Sequence, residues 1–144
     1  MPADDKFILD ASVAAKWFNN EDLTDKAIEV RDGFVQNKIR LLAPAQLLYE
    51  VGNSIWKNKE LTVQDAINAM QDMIDMEIEL IPLSNELASN AMKFARDFSI
   101  TFYDATYVAL VDHFNAILIS ADGKILSKSG KMKENLLHLK DFRI

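Results

Sequence analysis

The sequence contains no cysteine. Disulfides, thiolate nucleophiles and zinc–thiolate sites are therefore excluded. Only two histidines are present, His113 and His138, which argues against a multi-histidine metal centre. Any metal would be held by oxygen, the preference of Mg2+ and Mn2+. No apolar run approaches the roughly 18 residues of a membrane span, so no membrane partner is expected. The opening MPADDKFILD is acidic. It lacks the basic n-region and long apolar stretch of a secretory signal, and we expect a cytoplasmic protein. There is no linker, low-complexity tract or internal repeat. A chain of 144 residues suits a single domain over 1–144.

Positive charge is also scarce, with 16 basic against 22 acidic side chains and a net charge of −6. Taken alone, this argues against nucleic-acid binding. The distribution is uneven, however. Over residues 124–144 the basic side chains Lys124, Lys128, Lys131, Lys133, Lys140 and Arg143 face only Glu134 and Asp141. A locally basic tail follows an acidic body.

What is present is an alternation of short apolar runs and helical stretches. Lys6 to Leu9 reads as a first strand ending at Asp10. Helices are expected over Ser12 to Phe18 and Glu21 to Gln36, and Leu41-Leu42 suggests a short strand. Pro44 suits the first turn of a helix, where its missing N–H costs nothing. That helix should run to about Lys57 on a stripe of Leu47, Leu48, Val51 and Ile55. Thr62 to Asp65 forms a capping-box pattern, followed by an apolar stripe of Val63, Ala66, Ile67, Met70 and Ile74. A strand is expected over Glu77 to Ile81. Ser84 caps a helix with Leu87, Ala88, Ala91, Ala95 and Phe98 inward, and Tyr103 to Phe114 forms another. Ala116 to Ile119 is the fully apolar kind of strand that is covered on both faces. A short basic helix and a strand near Leu137 to Leu139 close the chain. Strands separated by helices imply an α/β fold with a parallel sheet and right-handed crossovers.

Four carboxylates stand out by position. Asp10 follows the first strand and Asp122 follows the apolar strand, so both fall at the carboxyl edge of such a sheet, where ligands bind. Glu50 borders the apolar stripe of its helix, with Asn53 one turn on. Asp104 sits in the first turn of its helix. Each has an ordinary structural alternative: Asp10 as a helix cap, Asp104 in a capping box with Thr101, Glu50 as a helix-surface residue, Asp122 as a turn former before Gly123. Together they point to chemistry. Two unit charges about 4 Å apart repel by about 4 kcal/mol at an effective dielectric near 20. A bound cation or protonation is needed to make such a cluster tolerable. A hard divalent cation fits, and it can acidify water and stabilise charge on a transferring phosphoryl group.

These residues carry a resemblance to the PIN-domain nucleases, and within them to the VapC-type toxins of toxin–antitoxin pairs. Phe7-Ile8-Leu9-Asp10-Ala11-Ser12 resembles the opening motif. Pro44-Ala45-Gln46-Leu47-Leu48-Tyr49-Glu50-Val51-Gly52-Asn53 resembles the second and Phe102-Tyr103-Asp104-Ala105-Thr106-Tyr107-Val108-Ala109-Leu110 the third. Ile119-Ser120-Ala121-Asp122-Gly123-Lys124-Ile125-Leu126 resembles the fourth. The order is kept over nearly the whole chain. The resemblance implies a three-layer α/β/α domain with a central parallel sheet, and Mg2+- or Mn2+-dependent cleavage of RNA phosphodiesters. It makes Asp10, Glu50, Asp104 and Asp122 the catalytic, metal-holding residues. Ser12, Asn53 and Ser120 would position carboxylates or waters. It also implies a homodimer and a cognate VapB-type antitoxin.

Lys16, Lys124 and Lys128 are candidate RNA contacts, with Lys131 and Lys133 nearby. Tyr103 could stack on a base but is expected to be packed. Trp17 and Trp56 suit a core or an interface. Met70, Met73 and Met76 share one helix and suit core packing or an antitoxin helix. His113 is expected on a helix surface without a catalytic role. A housekeeping RNA-processing nuclease of the same type is the near alternative. A receiver-like signalling domain is a more distant one. It needs an early acid pair ending a strand, whereas Asp4-Asp5 precedes the first strand.

Overall fold

The computed structural model describes residues 5–144. Asp4, half of the early acid pair, lies outside the described residues, as do Met1, Pro2 and Ala3.

Five parallel strands form one sheet: β1 (Lys6–Leu9), β2 (Arg40–Pro44), β3 (Glu79–Ile81), β4 (Ile117–Ser120) and β5 (Leu136–His138), in the order β3-β2-β1-β4-β5. Seven α-helices connect them: α1 (Ala11–Ala14), α2 (Thr24–Val35), α3 (Leu47–Lys57), α4 (Val63–Asp75), α5 (Asn85–Phe98), α6 (Phe102–Phe114) and α7 (Gly123–Lys128). A single 3-10 turn over Ala15–Trp17 extends α1.

Alternation along the strands divides the core into two halves. Phe7, Leu9, Leu41, Ala43 and Ile119 point to one face, where α1 to α4 contribute Val13, Val30, Leu47, Val51 and Met73. Ile8, Leu42 and Leu118 point to the other face, against Leu87, Ala91 and the buried run Ala105 to Val111 of α6. The result is the expected α/β/α sandwich. Because α6 lies between the sheet and α5, it is apolar on nearly every side rather than along one stripe. Helix starts follow the expected chemistry. Thr62 and Asp65 form a reciprocal capping box on α4, and the Ser84 hydroxyl accepts from the Leu87 N–H at the start of α5.

One expectation is corrected. Pro44 ends β2 rather than opening a helix, and α3 begins at Leu47. The β1–β2 pairing runs only from Lys6↔Arg40 to Ile8↔Leu42, so at Pro44 no ladder bond on that side requires an N–H. The α4 stripe, whose direction periodicity left open, is divided, with Ala66 and Met70 packed against the core cluster. Ala69 and Met73 are the buried positions, while Val63 is 78% exposed and Ile67 and Ile74 are also open. Val63, Ile67, Met70 and Ile74 line a groove between α3 and α4 with Trp56 and Ile55. The amphipathic period is real, and its open side faces this groove.

The sheet order changes direction between β1 and β4. Both neighbours of β1 start their own branch there, leaving a crevice at the strand ends where such folds bind ligands.

Candidate active site

The residue after β1 is Asp10, and those after β4 lead through Ala121 to Asp122, so the crevice receives an acid from each strand. Asp10 occupies the N-cap position of α1 but its side chain makes no cap bond. Instead its Oδ2 accepts from two hydroxyls, Ser12 Oγ and Ser120 Oγ, each at 2.7 Å. Those hydroxyls are themselves fixed. Ser12 Oγ accepts from the Ala121 N–H at 2.9 Å and Ser120 Oγ from the Asp122 N–H at 2.9 Å. The two serines thus stitch the end of β1 to the loop after β4 and set the orientation of Asp10. Among the described residues Oδ1 receives no side-chain hydrogen bond.

Glu50 lies in the first turn of α3, half-buried, and its Oε1 accepts from the Tyr107 hydroxyl of α6 at 3.1 Å. Asp104 lies in the first turn of α6. Thr101 Oγ1 accepts from its N–H. The reciprocal bond of a capping box, to the Thr101 N–H, is not formed, but the Thr101 side chain acts on the Asp104 carboxyl and lowers its proton affinity. Asp122 behaves differently. Its Oδ1 accepts from the Lys124 N–H at 2.9 Å and caps α7. The structural alternative therefore holds for Asp122, holds in part for Asp104 and fails for Asp10.

The four acids sense one another. Burial pushes the Asp10 carboxyl above the ordinary carboxylate range. The Ser12 and Ser120 hydroxyls pull it back in part, and the charges of Asp122 and Asp104 raise it further. Burial also raises Glu50, with Asp10 and Asp104 adding to the rise. Asp104 is raised by burial and then by Asp122, and is eased by the Lys124 ammonium. Among the described residues, no three acidic or histidine side chains form a ready-made ligand set. The acids converge without closing on one point, as repelling carboxylates do without a counter-charge. The donor set is oxygen alone, which suits Mg2+ or Mn2+ and fits no thiolate or imidazole metal.

The remaining candidates divide. Asn53 is exposed and, among the described residues, makes no hydrogen bond to the acids; it lines a groove beside Glu50. Lys16 is buried, with its ammonium 3.5 Å from Glu21. Lys124 faces Asp104, whereas the Lys128 ammonium donates to the Ser99 carbonyl. Lys131 and Lys133 are exposed. Tyr103 is exposed rather than packed. Trp17 is partly buried and its indole donates to the Ala27 carbonyl, while Trp56 is 74% exposed. Met73 is in the core and Met70 lines the α3–α4 groove. His113 is at the surface near Glu86.

Tyr107 escaped the sequence reasoning. Burial keeps its hydroxyl protonated, with the charges of Asp10 and Glu50 acting in the same direction. The available signal was a tyrosine hydroxyl within the largely apolar stretch Ala105 to Val111, which had to find a partner.

Comparison with known proteins gives a consistent result. The PIN domain family matches residues 7–131. The ribonuclease VapC3 of Pyrobaculum aerophilum is 26% identical over 127 residues, which span 85% of this chain and 94% of that protein. The fold superposes on Mycobacterium tuberculosis VapC20, a sarcin-ricin loop cleaving toxin, with a TM-score of 0.65 and 15% identity over 86% of this chain and 95% of that one. It also superposes on VapBC2 from Rickettsia felis, solved bound to a DNA fragment from their promoter, with a TM-score of 0.63 and 15% identity over 92% and 96% of the two chains.

Proposed function

The chain belongs to the PIN domain family, and from that premise we propose that it is a divalent-metal-dependent ribonuclease and the toxin of a VapBC-type pair. We read the whole chain as one nuclease domain. Asp10, Glu50, Asp104 and Asp122 are its proposed catalytic and metal-holding residues. The observation that carries this reading is Asp10: a buried carboxylate, oriented by two serine hydroxyls and raised in pKa partly by two other acids.

A bound Mg2+ or Mn2+ supplies stabilisation of phosphoryl charge and a more acidic water. The chain's own residues do the rest. Ser12 and Ser120 hold Asp10 Oδ2, so that Oδ1 is the oxygen left to act. Tyr107 restrains Glu50. Asp10, Glu50, Asp104 and Asp122 would hold the ion and orient the water that adds to phosphorus as the P–O bond breaks. Asn53 would act through water, as it has no direct bond to an acid.

An antitoxin partner is supported by the likeness to VapBC2 and by the open apolar groove between α3 and α4, which fits an amphipathic helix. A second apolar cleft, lined by Pro44, Ile81, Leu83, Leu87, Phe102 and Tyr103, is the surface we propose for a homodimer. No helix of the described residues is long and apolar enough to cross a membrane. The cytoplasm is the site of action that the toxin reading proposes. The housekeeping alternative predicts no growth arrest on expression and no antitoxin.

The test is RNA cleavage with and without Mn2+, comparing wild type with Asp10→Asn and Asp104→Asn. We expect metal-dependent cutting by wild type and a loss of roughly a hundred-fold or more in either variant with the fold intact. Equal cutting by both variants would remove the site assignment.

A further inference from the structure

Beside the acid cluster runs a groove of about 530 Å³, with Ser12, Lys16, Glu21, Tyr49, Glu50 and Lys57 among its lining residues. We propose that it is a nucleotide subsite, in which a base of single-stranded RNA next to the cut stacks on Tyr49 while its phosphate meets Lys16 and Lys57. The proposal rests on the nuclease reading above and specifies how the substrate is held.

Helical spacing builds one wall. Glu50, Asn53, Ser54 and Lys57 fall at i, i+3, i+4 and i+7 on α3 and share a face. That face begins with a site acid and ends with a cation. The other wall comes from α1 and the turn after it, where Ser12 donates to Asp10 and Lys16 lies four residues on. A ligand in the groove therefore abuts Glu50 and the serine that holds Asp10. The volume suits one nucleotide rather than a duplex.

The side chains match the parts of a nucleotide. Tyr49 is 83% exposed, a large ring left in water immediately before Glu50. An exposed aromatic alone is ordinary, but this one borders the groove that holds two lysines. Base stacking on such a ring requires an unpaired base, which points to single strands. Lys16 is largely buried yet lines the groove, and its ammonium lies 3.5 Å from Glu21. An anionic phosphate would compete with Glu21 for it. Lys124 lies on the Asp104 side of the cluster, so cations flank the acids on both sides. This arrangement lets an acidic protein hold a polyanion locally.

The test measures binding of a short single-stranded RNA carrying 2-aminopurine, using the full chain with Asp10→Asn as the non-cutting parent. We expect the parent to quench the 2-aminopurine. Tyr49→Phe should keep that quenching. Tyr49→Leu should abolish it and weaken binding by roughly five-fold or more. Lys57→Ala should lower the slope of log K against log salt by about 0.7. Glu21→Gln should tighten binding roughly two- to five-fold by releasing Lys16. If wild type cuts RNA but Tyr49→Leu and Lys57→Ala bind as the parent does, the subsite is wrong and the nuclease reading stands. If they leave RNA binding unchanged and weaken only antitoxin binding, the groove is a protein site and the proposal is overturned. If the stacking signal is present but wild type never cuts, the subsite stands and the nuclease reading fails.

Discussion

The Tyr107 hydroxyl donates to Glu50 Oε1 at 3.1 Å, joining α6 to α3 across 57 residues of sequence. The ring is fully buried and the carboxylate half-exposed, so a rigid group restrains a mobile one. Hydrogen bonds to charged groups contribute about 1.5–3 kcal/mol. Tyr107→Phe keeps the packing and removes only the donor. We expect weaker Mn2+ binding by calorimetry and cleavage slowed by roughly ten-fold, with circular dichroism unchanged. Unaltered metal affinity would mean that Glu50 needs no such restraint.

Ser120 is wholly buried, donates to Asp10 and accepts from the Asp122 N–H. Ser120→Ala orphans the Asp122 N–H and leaves Asp10 Oδ2 with Ser12 alone, at a cost of about 1–3 kcal/mol. A Tm lower by several degrees is expected in thermal unfolding. Ser120→Thr keeps the hydroxyl and should recover much of that loss. A silent Ser120→Ala would contradict the bonding pattern.

The raised pKa values of Asp10, Glu50 and Asp104 fix the sign of a pH effect. Above the ordinary carboxylate range near 4, the folded protein holds protons that the unfolded chain has released. Stability without metal therefore falls as pH rises through that range towards the folded-state values. The metal-free Tm should be higher near about pH 5 than near about pH 8 on this account. Added Mn2+ should restore it at the higher pH, and Asp10→Asn should flatten the dependence. A Tm that climbs with pH in the metal-free protein would show that these acids are not strained.

The two faces of α4 make a paired prediction. Met73 is in the core, and Met73→Ala should cost about 2–5 kcal/mol in denaturant unfolding. Ile67 faces the open groove, and Ile67→Ser should change stability by less than about 0.5 kcal/mol. The same Ile67→Ser should weaken capture of a cognate antitoxin in a pull-down. Equal destabilisation by the two changes would put the stripe back in the core.

Much of this was legible beforehand, for identifiable reasons. β1 and β4 are continuous apolar runs that end at acids, and period and position together locate Asp10 and Asp122 at the sheet edge. Caps at Thr62, Ser84 and Thr101 are local, so sequence reveals them. What depends on distant neighbours was hidden. Periodicity shows that α4 has an apolar side but not whether a sheet or a groove receives it. Pro44 fits a helix start or a strand end equally well until the β1 pairing partner is known. Tyr107 and Glu50 lie in separate motifs, and nothing local ties one to the other. Nor does spacing distinguish an acid whose carboxylate caps a helix, as Asp122 does, from one whose own N–H is capped, as at Asp104.

The stitch between Ser120 and Asp10 spans 110 residues, which has a consequence for synthesis. A growing chain exposes the first acid early, yet the strand that orients it emerges only 110 residues later. No nascent fragment shorter than that has the orienting serine or the acid that follows it. The proposed site therefore stays unassembled until Ser120 and Asp122 have left the ribosome.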